Sequence, residues 1–276
     1  MRHEAGATPG AKHLHITMLL KARKGNHEMN IAVVLAGGTG QRLGEDMPKQ
    51  FVEVLGKPLV VYALEVYEKS RHIDAIEVVC IPHYIDTVKG YAETYGIHKL
   101  KWVVPGGDSC QESTRNGIFH LEGICSSEDV LVFGMSTSIF VNDDILGNSL
   151  DVCRQYGNAF AAMQCIYNLA TTADGLASTS LERKEVHKTL NLPWTAPFGK
   201  LLELYRKAYA EDIETGPSAY VPTLFLAMGE TLYLSKDTAK NKIHVTTPED
   251  LDIVKGCLLL ERMREGKTLH EVFNGH

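Results

Sequence analysis

The stretch Ile31 to Phe51, IAVVLAGGTGQRLGEDMPKQF, decides how the rest of the chain reads. It opens with the apolar run Ile31-Ala32-Val33-Val34-Leu35, which predicts a buried strand. Gly37, Gly38 and Gly40 follow directly, and Arg42 and Lys49 lie just beyond. Glycine lets backbone N–H groups come close to an anion, and two cations nearby neutralise its charge. Strand, glycine turn, Arg and Lys in that order predict a phosphate site. It is not a Walker loop, because no Lys-Ser or Lys-Thr follows the glycines. Nor is it the dinucleotide fingerprint: Gly38, Gly40 and Gly44 are spaced one residue too long, with Arg42 between them.

The pattern L-A-G-G-x-G-x-R-x(6)-K-Q resembles that of nucleotidyltransferases that activate sugar or polyol phosphates. The step from Arg42 to Lys49 and the tetrad Pro48-Lys49-Gln50-Phe51 resemble one branch of them. That branch is the cytidylyltransferases acting on methylerythritol phosphate and ribitol phosphate. A second segment supports the likeness. Gly106-Gly107-Asp108 and Ser113, followed by Asn116-Gly117-Ile118, are similar to the branch's G-G-x(5)-S-x-x-N-G-[LI] turn, which holds the base. Thr246 to Leu251 is similar to its T-x-P-E-D-L. The resemblance implies that Leu35, Ala36, Gly37, Gly38, Thr39, Gly40, Gly107, Asp108, Ser113 and Met135 bind CTP. It implies a catalytic role for Arg42, Lys49, His244 and Lys242. It further implies a polyol phosphate as acceptor, Mg²⁺ as cofactor, and a homodimer.

Several polar residues of that branch are replaced. Where it carries H-D-A-x-R-P, with a metal-binding Asp, this chain has Phe133-Gly134-Met135-Ser136-Thr137-Ser138. Gly134 stands for the Asp and Thr137 for the Arg. The branch's T-P-Q falls on Leu192-Pro193-Trp194. Its N-I-K-[IVL]-T falls on Lys242-Ile243-His244-Val245-Thr246, so His244 replaces a Lys, and Lys242 is expected on the same strand face two residues away. Cys110 stands where many members have Arg. With the Asp lost, Mg²⁺ would rely on the triphosphate and water. The losses fall on the metal and acceptor side, while the triphosphate side is intact. Three readings follow: a cytidylyltransferase with a rebuilt acceptor pocket, a degenerate relative that binds nucleotide without turning over the usual acceptors, and a dinucleotide-binding protein, which the glycine spacing disfavours.

The remainder of the chain alternates strand and helix. Strands are expected at 76–81, 100–104, 130–133, 159–163 and 231–234. Helices are expected from Lys57-Pro58 onward, at 84–95 closed by Gly96, at 111–121, at 201–209, and from an Asn142 cap to Tyr156. A last helix opens at Thr247-Pro248. The alternation predicts a three-layer, doubly wound, Rossmann-like α/β fold with a mostly parallel sheet. It fails from Cys165 to Ala196, a polar stretch too long for an ordinary connector, expected to be a protruding arm that grips a second subunit.

Composition agrees with one domain over 29–276. The 276 residues carry 44% hydrophobic and 22% charged side chains, ordinary for a globular chain, and a net charge of −6 argues against general nucleic-acid binding. Cys80, Cys110, Cys125, Cys153, Cys165 and Cys257 form no C-x-x-C pair and read as free thiols in a reducing cytoplasm. No apolar run reaches the length of a membrane span. Residues 1–28 are basic and histidine-containing, with an apolar patch at 16–20 too short for a secretory signal, and read as a disordered or non-native leader. His72, His83, His98, His120 and His187 read as surface or cap residues. Asp143 and Asp144 read as helix-capping acids rather than a metal pair.

Overall fold

A computed structural model of the chain describes residues 28–38, 47–213 and 220–266. The basic leader expected at 1–28 lies outside them except for Glu28. So do Thr39, Gly40 and Arg42.

The apolar run becomes strand β1, Asn30–Ala36, buried along its whole length. Its side chains alternate between two cores, as a strand covered on both faces requires. Helix α1 (Leu59–Lys69), strand β2 (Ala75–Cys80), helix α2 (Ile85–Tyr95) and strand β3 (Leu100–Pro105) follow. Next come helix α3 (Cys110–His120), strand β4 (Val130–Met135), helix α4 (Asp143–Tyr156) and strand β5 (Ala159–Gln164). Strand β6 (Lys188–Pro197), helix α5 (Phe198–Ala210), helix α6 (Val221–Ala227), strand β7 (Leu234–Lys236) and helix α7 (Pro248–Arg264) complete the chain.

One seven-stranded sheet runs β7-β5-β6-β4-β1-β2-β3. All pairings are parallel except those of β6, which is antiparallel to both β4 and β5. Helices α3, α5 and α6 pack on one face against Ile31, Val33, Leu131 and Phe133. Helices α1, α2 and α4 pack on the other against Ala32, Val34, Val130 and Val132. The expected doubly wound, mostly parallel fold is therefore the observed one. A third cluster seats α7 through Leu251, Val254 and Leu258 on Val54, Leu59 and Ala63.

Caps fall where the sequence put them. Asn142 Oδ1 accepts from the Ile145 amide at 2.9 Å, so Asp143 and Asp144 do lie in a first helical turn. Thr247 and Asp250 form a reciprocal capping box with Pro248 at N1. Gly96 closes α2 in the left-handed region at φ 67°.

Four expectations need correction. Lys57-Pro58 does not begin a helix; the pair forms a short antiparallel ladder with Glu53–Val54, and Pro58 is the N-cap of α1. The strand expected at 231–234 is Leu234–Lys236, and the short helix α6 was missed. The polar excursion is not all arm. Its last third is β6, whose Leu192, Trp194 and Ala196 enter the core. Its polar residues hid this, yet they are buried with partners: Thr195 Oγ1 lies 2.8 Å from Ser149 Oγ, and Asn191 is hydrogen-bonded throughout. The protruding part is 166–187, with a small ladder of Leu169–Ala170 on Leu181–Glu182. Finally, space gives three histidines the acid partners that sequence spacing could not show. His72 lies 3.6 Å from Asp143, His187 lies 3.6 Å from Glu182, and His120 Nδ1 lies 2.6 Å from Glu77 Oε1.

Glu77 is fully buried in β2 and its Oε2 has no hydrogen-bond partner among the described residues. Burial pushes its carboxyl from 4.5 up to about 7, against the pull of His120. The unfolded chain therefore releases this proton first as pH rises, and the group costs stability progressively between pH 4.5 and about 7. Glu77→Gln, which cannot ionise, is expected to raise the thermal midpoint at pH 8 and leave it unchanged at pH 4. Identical midpoints at pH 8 would contradict this.

Candidate active site

In a doubly wound sheet the crevice lies beyond the carboxyl ends of the strands, where the order reverses. Here that point is the gap between β1 and β4. A cleft of about 340 Å³ opens there. Leu35, Gly37 and Gly38 line it from the end of β1, Met135, Ser136 and Thr137 from the end of β4, Gly107 to Ser109 from the turn after β3, and Cys110 and Ser113 from the first turn of α3. Lys49, Gln50 and Tyr220 complete the wall.

Each wall is held by a specific bond. Gln50, buried on the short 3-10 turn Lys49–Phe51, donates Nε2 to the carbonyls of Ala36 at 2.8 Å and Gly38 at 3.0 Å. Both carbonyls are thereby satisfied within the protein. Phe51 beside it stacks on Tyr84 at 4.1 Å and fixes the turn. In the second wall, the Gly106 amide donates to Cys80 O at 2.8 Å, and the Gly107 amide donates to Ser113 Oγ at 3.1 Å. Ser109 caps α3, with the Glu112 carboxylate accepting from the Asp108 and Ser109 amides. A Cβ at Gly106 would stand 2.9 Å from Ser113 Oγ, so only glycine lets the turn close on that serine. The third wall is tied to the first by the Ser136 amide, which donates to Leu35 O at 3.0 Å. Gln111 anchors Tyr220, donating to its carbonyl at 2.9 Å while accepting from the Tyr205 hydroxyl at 2.7 Å.

Most residues expected to hold the nucleotide thus meet in one place: Leu35, Gly37, Gly38, Lys49, Gly107, Asp108, Ser113 and Met135. Ala36 lies just beneath, buried, with its carbonyl on Gln50. Arg42, Thr39 and Gly40 lie outside the described residues. Sequence reasoning assigned no site role to Gln50, Ser109, Cys110, Ser136, Thr137 or Tyr220. Gln50 was signalled by its place in the Pro48-Lys49-Gln50-Phe51 tetrad; Tyr220, distant in sequence, carried no signal. Burial pushes the Cys110 thiol up, so it lines the cleft uncharged where many of the resembling enzymes carry Arg.

His244 and Lys242 do not line this cleft. His244 Nδ1 lies 3.0 Å from Ser138 Oγ and its Nε2 lies 2.6 Å from Asn191 Oδ1, so both ring nitrogens are engaged within the protein. Burial, and then the charge of Lys49, hold its pKa below the usual 6.5 in spite of Asp237 and Asp250. It therefore adds no positive charge at neutral pH. Lys242 is not on a strand. It ends the 3-10 turn Lys240–Lys242 with its ammonium 5.0 Å from the Tyr167 ring centroid, facing the arm.

At Gly134 the place of a carboxylate is taken. A Cβ built there would fall on the Tyr67 hydroxyl, with Tyr67 Cζ at 2.9 Å. Tyr67 is fully buried and its hydroxyl has no hydrogen-bond partner among the described residues. No group of three His, Cys, Asp or Glu side chains placed to hold a metal occurs among the described residues.

Comparison with known proteins agrees with this geometry. The sequence pattern of the family described as 2-C-methyl-D-erythritol 4-phosphate cytidylyltransferase matches residues 30–259. A ribitol-5-phosphate cytidylyltransferase of Lacticaseibacillus paracasei is 32% identical over 83% of this chain and 98% of its own length. A 2-C-methyl-D-erythritol 4-phosphate cytidylyltransferase of Clostridium novyi is 28% identical over 83% of this chain and 96% of its own. The crystal structure of 4-diphosphocytidyl-2C-methyl-D-erythritol synthase from Anaerococcus prevotii superposes with a TM-score of 0.70 at 18% identity, covering 84% of this chain and 98% of that one, which shows a shared fold.

The Tyr67–Gly134 contact makes restoring an acid at this position costly. Gly134→Asp is expected to destabilise the fold by roughly 1–3 kcal/mol through overpacking. Gly134→Asp combined with Tyr67→Leu is expected to be more stable than the sum of the two single changes implies. Denaturant unfolding measures both, and strict additivity would show that the two side chains do not compete for the same space.

Proposed function

We propose that this chain, which belongs to the 2-C-methyl-D-erythritol 4-phosphate cytidylyltransferase family, transfers CMP from CTP to a polyol phosphate and releases pyrophosphate. The observation that carries this reading is the meeting of the glycine turn, Lys49 and the Gly107–Ser113 turn in one cleft at the switch point of the sheet. A phosphate oxygen of the acceptor attacks the α-phosphorus of CTP, the bond to the β-phosphate breaks, and pyrophosphate leaves. No protein nucleophile is needed. Catalysis rests on positioning and on charge around the transferring phosphorus. Backbone amides of Gly37 and Gly38 cradle the triphosphate, and Lys49, with Arg42 by the resemblance, neutralises it. Gly107, Asp108 and Ser113 hold the base and ribose, with Leu35, Ala36 and Met135 shaping the floor. Mg²⁺ is assigned to the nucleotide and not to the protein.

The acceptor is ribitol 5-phosphate or 2-C-methyl-D-erythritol 4-phosphate, the substrates in the names of the relatives. A second reading is that the chain binds CTP but does not turn over these acceptors. It is favoured by Gly134, where the Tyr67 hydroxyl stands in place of a carboxylate, and by the neutral, fully engaged His244. A pyrophosphate-release screen of CTP against a panel of polyol and sugar phosphates separates the two. Release with one polyol phosphate is the expected outcome. CTP binding without release from any acceptor supports the second reading, and absence of CTP binding overturns both. Arg42→Ala is expected to weaken CTP by roughly ten-fold, the worth of one charge-assisted phosphate contact, and equal calorimetric affinity would remove Arg42 from the site.

The arm over 166–187 exposes the apolar side chains of Ile166, Tyr167, Leu176, Leu181 and Val186. We assign it to a homodimer interface. Light scattering is expected to give a dimer at micromolar concentration and a monomer once the arm is trimmed, and a monomeric intact chain would contradict the assignment. No helix among the described residues is long and apolar enough to cross a membrane.

A further inference from the structure

The segment carrying His244 reaches the cleft through its backbone. The Val245 carbonyl, on a residue buried against Val54 and Leu59, accepts a hydrogen bond from Lys49 Nζ at 2.8 Å. The His244 ring on the preceding residue is itself held at both nitrogens. Asn191 donates Nδ2 to Asp237 Oδ2 at 3.1 Å and to Asn241 O at 2.9 Å, so its Oδ1 faces His244 as an acceptor. His244 Nε2 must therefore carry the hydrogen, and Nδ1 accepts from the hydroxyl of the fully buried Ser138. Asn241 in turn donates to Leu192 O at 2.7 Å and Asp237 Oδ1 at 2.8 Å, which ties the network to β6. The neutral imidazole is thus clamped between β6 and the end of β4, one residue from the carbonyl that holds the ammonium.

We propose that His244 is a positioning residue for Lys49, a neutral clamp that sets the Val245 carbonyl and through it the place of the lysine charge in the cleft. The proposal rests on the reading of Lys49 as a phosphate-binding cation. It also gives the histidine a task unlike that of the lysine it replaces. A lysine at this position would act on the phosphates directly, whereas His244 acts at one remove and needs to be uncharged. The charged and titratable groups acting on the ring are Lys49, which opposes its protonation, and Asp237 and Asp250, which favour it. Protonation would set a second cation beside Lys49 and take away the lone pair that Ser138 donates to.

The test is a double-mutant cycle on CTP affinity, read by calorimetry so that it does not depend on turnover. Lys49→Met is expected to weaken CTP by roughly ten-fold. His244→Ala is expected to weaken it by about five-fold in the wild-type background and by less than about two-fold in the Lys49→Met background, because its effect passes through the lysine. Ser138→Ala, a smaller change that leaves the ring in place, is expected to show the same coupling at lower amplitude and serves if His244→Ala fails to fold. His244→Gln keeps one donor and one acceptor and is expected to retain affinity. It is also expected to remove a loss of CTP affinity that wild type shows on the acid side of 6.5, below which burial and Lys49 hold the protonation of the ring. An equal loss from His244→Ala in both backgrounds would overturn the proposal while leaving Lys49 in its role. Unchanged affinity in Lys49→Met would overturn the reading of Lys49 and the proposal with it.

Discussion

Ser113 Oγ is the point on which the candidate site depends. It accepts the Gly107 amide, and it stands where a Cβ on Gly37 or Gly106 would crowd it, at 3.1 and 2.9 Å. The two walls of the cleft come from segments some seventy residues apart, roughly one at the end of β1 and one after β3, and their separation is set where they meet this side chain. Gln50 does the corresponding work on the opposite side, donating to the Ala36 and Gly38 carbonyls and so fixing the end of β1. An anion site made of backbone needs both. The glycines make close approach possible, and the buried polar side chains decide which way the peptide groups point.

The surroundings of Gly134 and His244 are organised by different physics, packing and neutral hydrogen bonds. The Tyr67 ring occupies the space over Gly134, and Ser138, His244, Asn191, Asn241 and Asp237 form one connected network. Such a network is rigid and specific when its members are satisfied, but it offers little charge to a transferring phosphoryl group. The network meets the cleft at Lys49, whose ammonium is held from the Val245 carbonyl. This is why the histidine at position 244 matters without touching the cleft.

The sheet and the cleft were legible in the sequence because both are local signals. A β-branched run followed by glycines, and a G-G-x(5)-S turn followed by a capped helix, each specify their own geometry within some twenty residues, roughly the span of one strand-turn-helix unit. What stayed hidden was the long-range pairing. β6 reads as polar because Asn191 and Thr195 are buried with partners that sequence cannot show. The 3-10 turn at Lys240–Lys242 breaks the strand on which Lys242 and His244 were expected to align. The Tyr67–Gly134 contact joins α1 to β4, and no periodicity in either element announces it. Likewise the acid partner of His120 lies on β2, far away in the chain.

The central claim is that the nucleotide sits at the switch point, between the two glycine turns. It competes with a second cavity, a groove of about 510 Å³ lined by Lys57, Tyr62, Lys69 and Arg262 between α1 and α7. Backbone amide chemical-shift mapping during a CTP titration tests this most directly. The account predicts saturable shifts at Gly37, Gly38, Gly107, Asp108 and Met135, with the amides of α1 and α7 unmoved. Shifts confined to α1 and α7, or none at millimolar CTP, would contradict it.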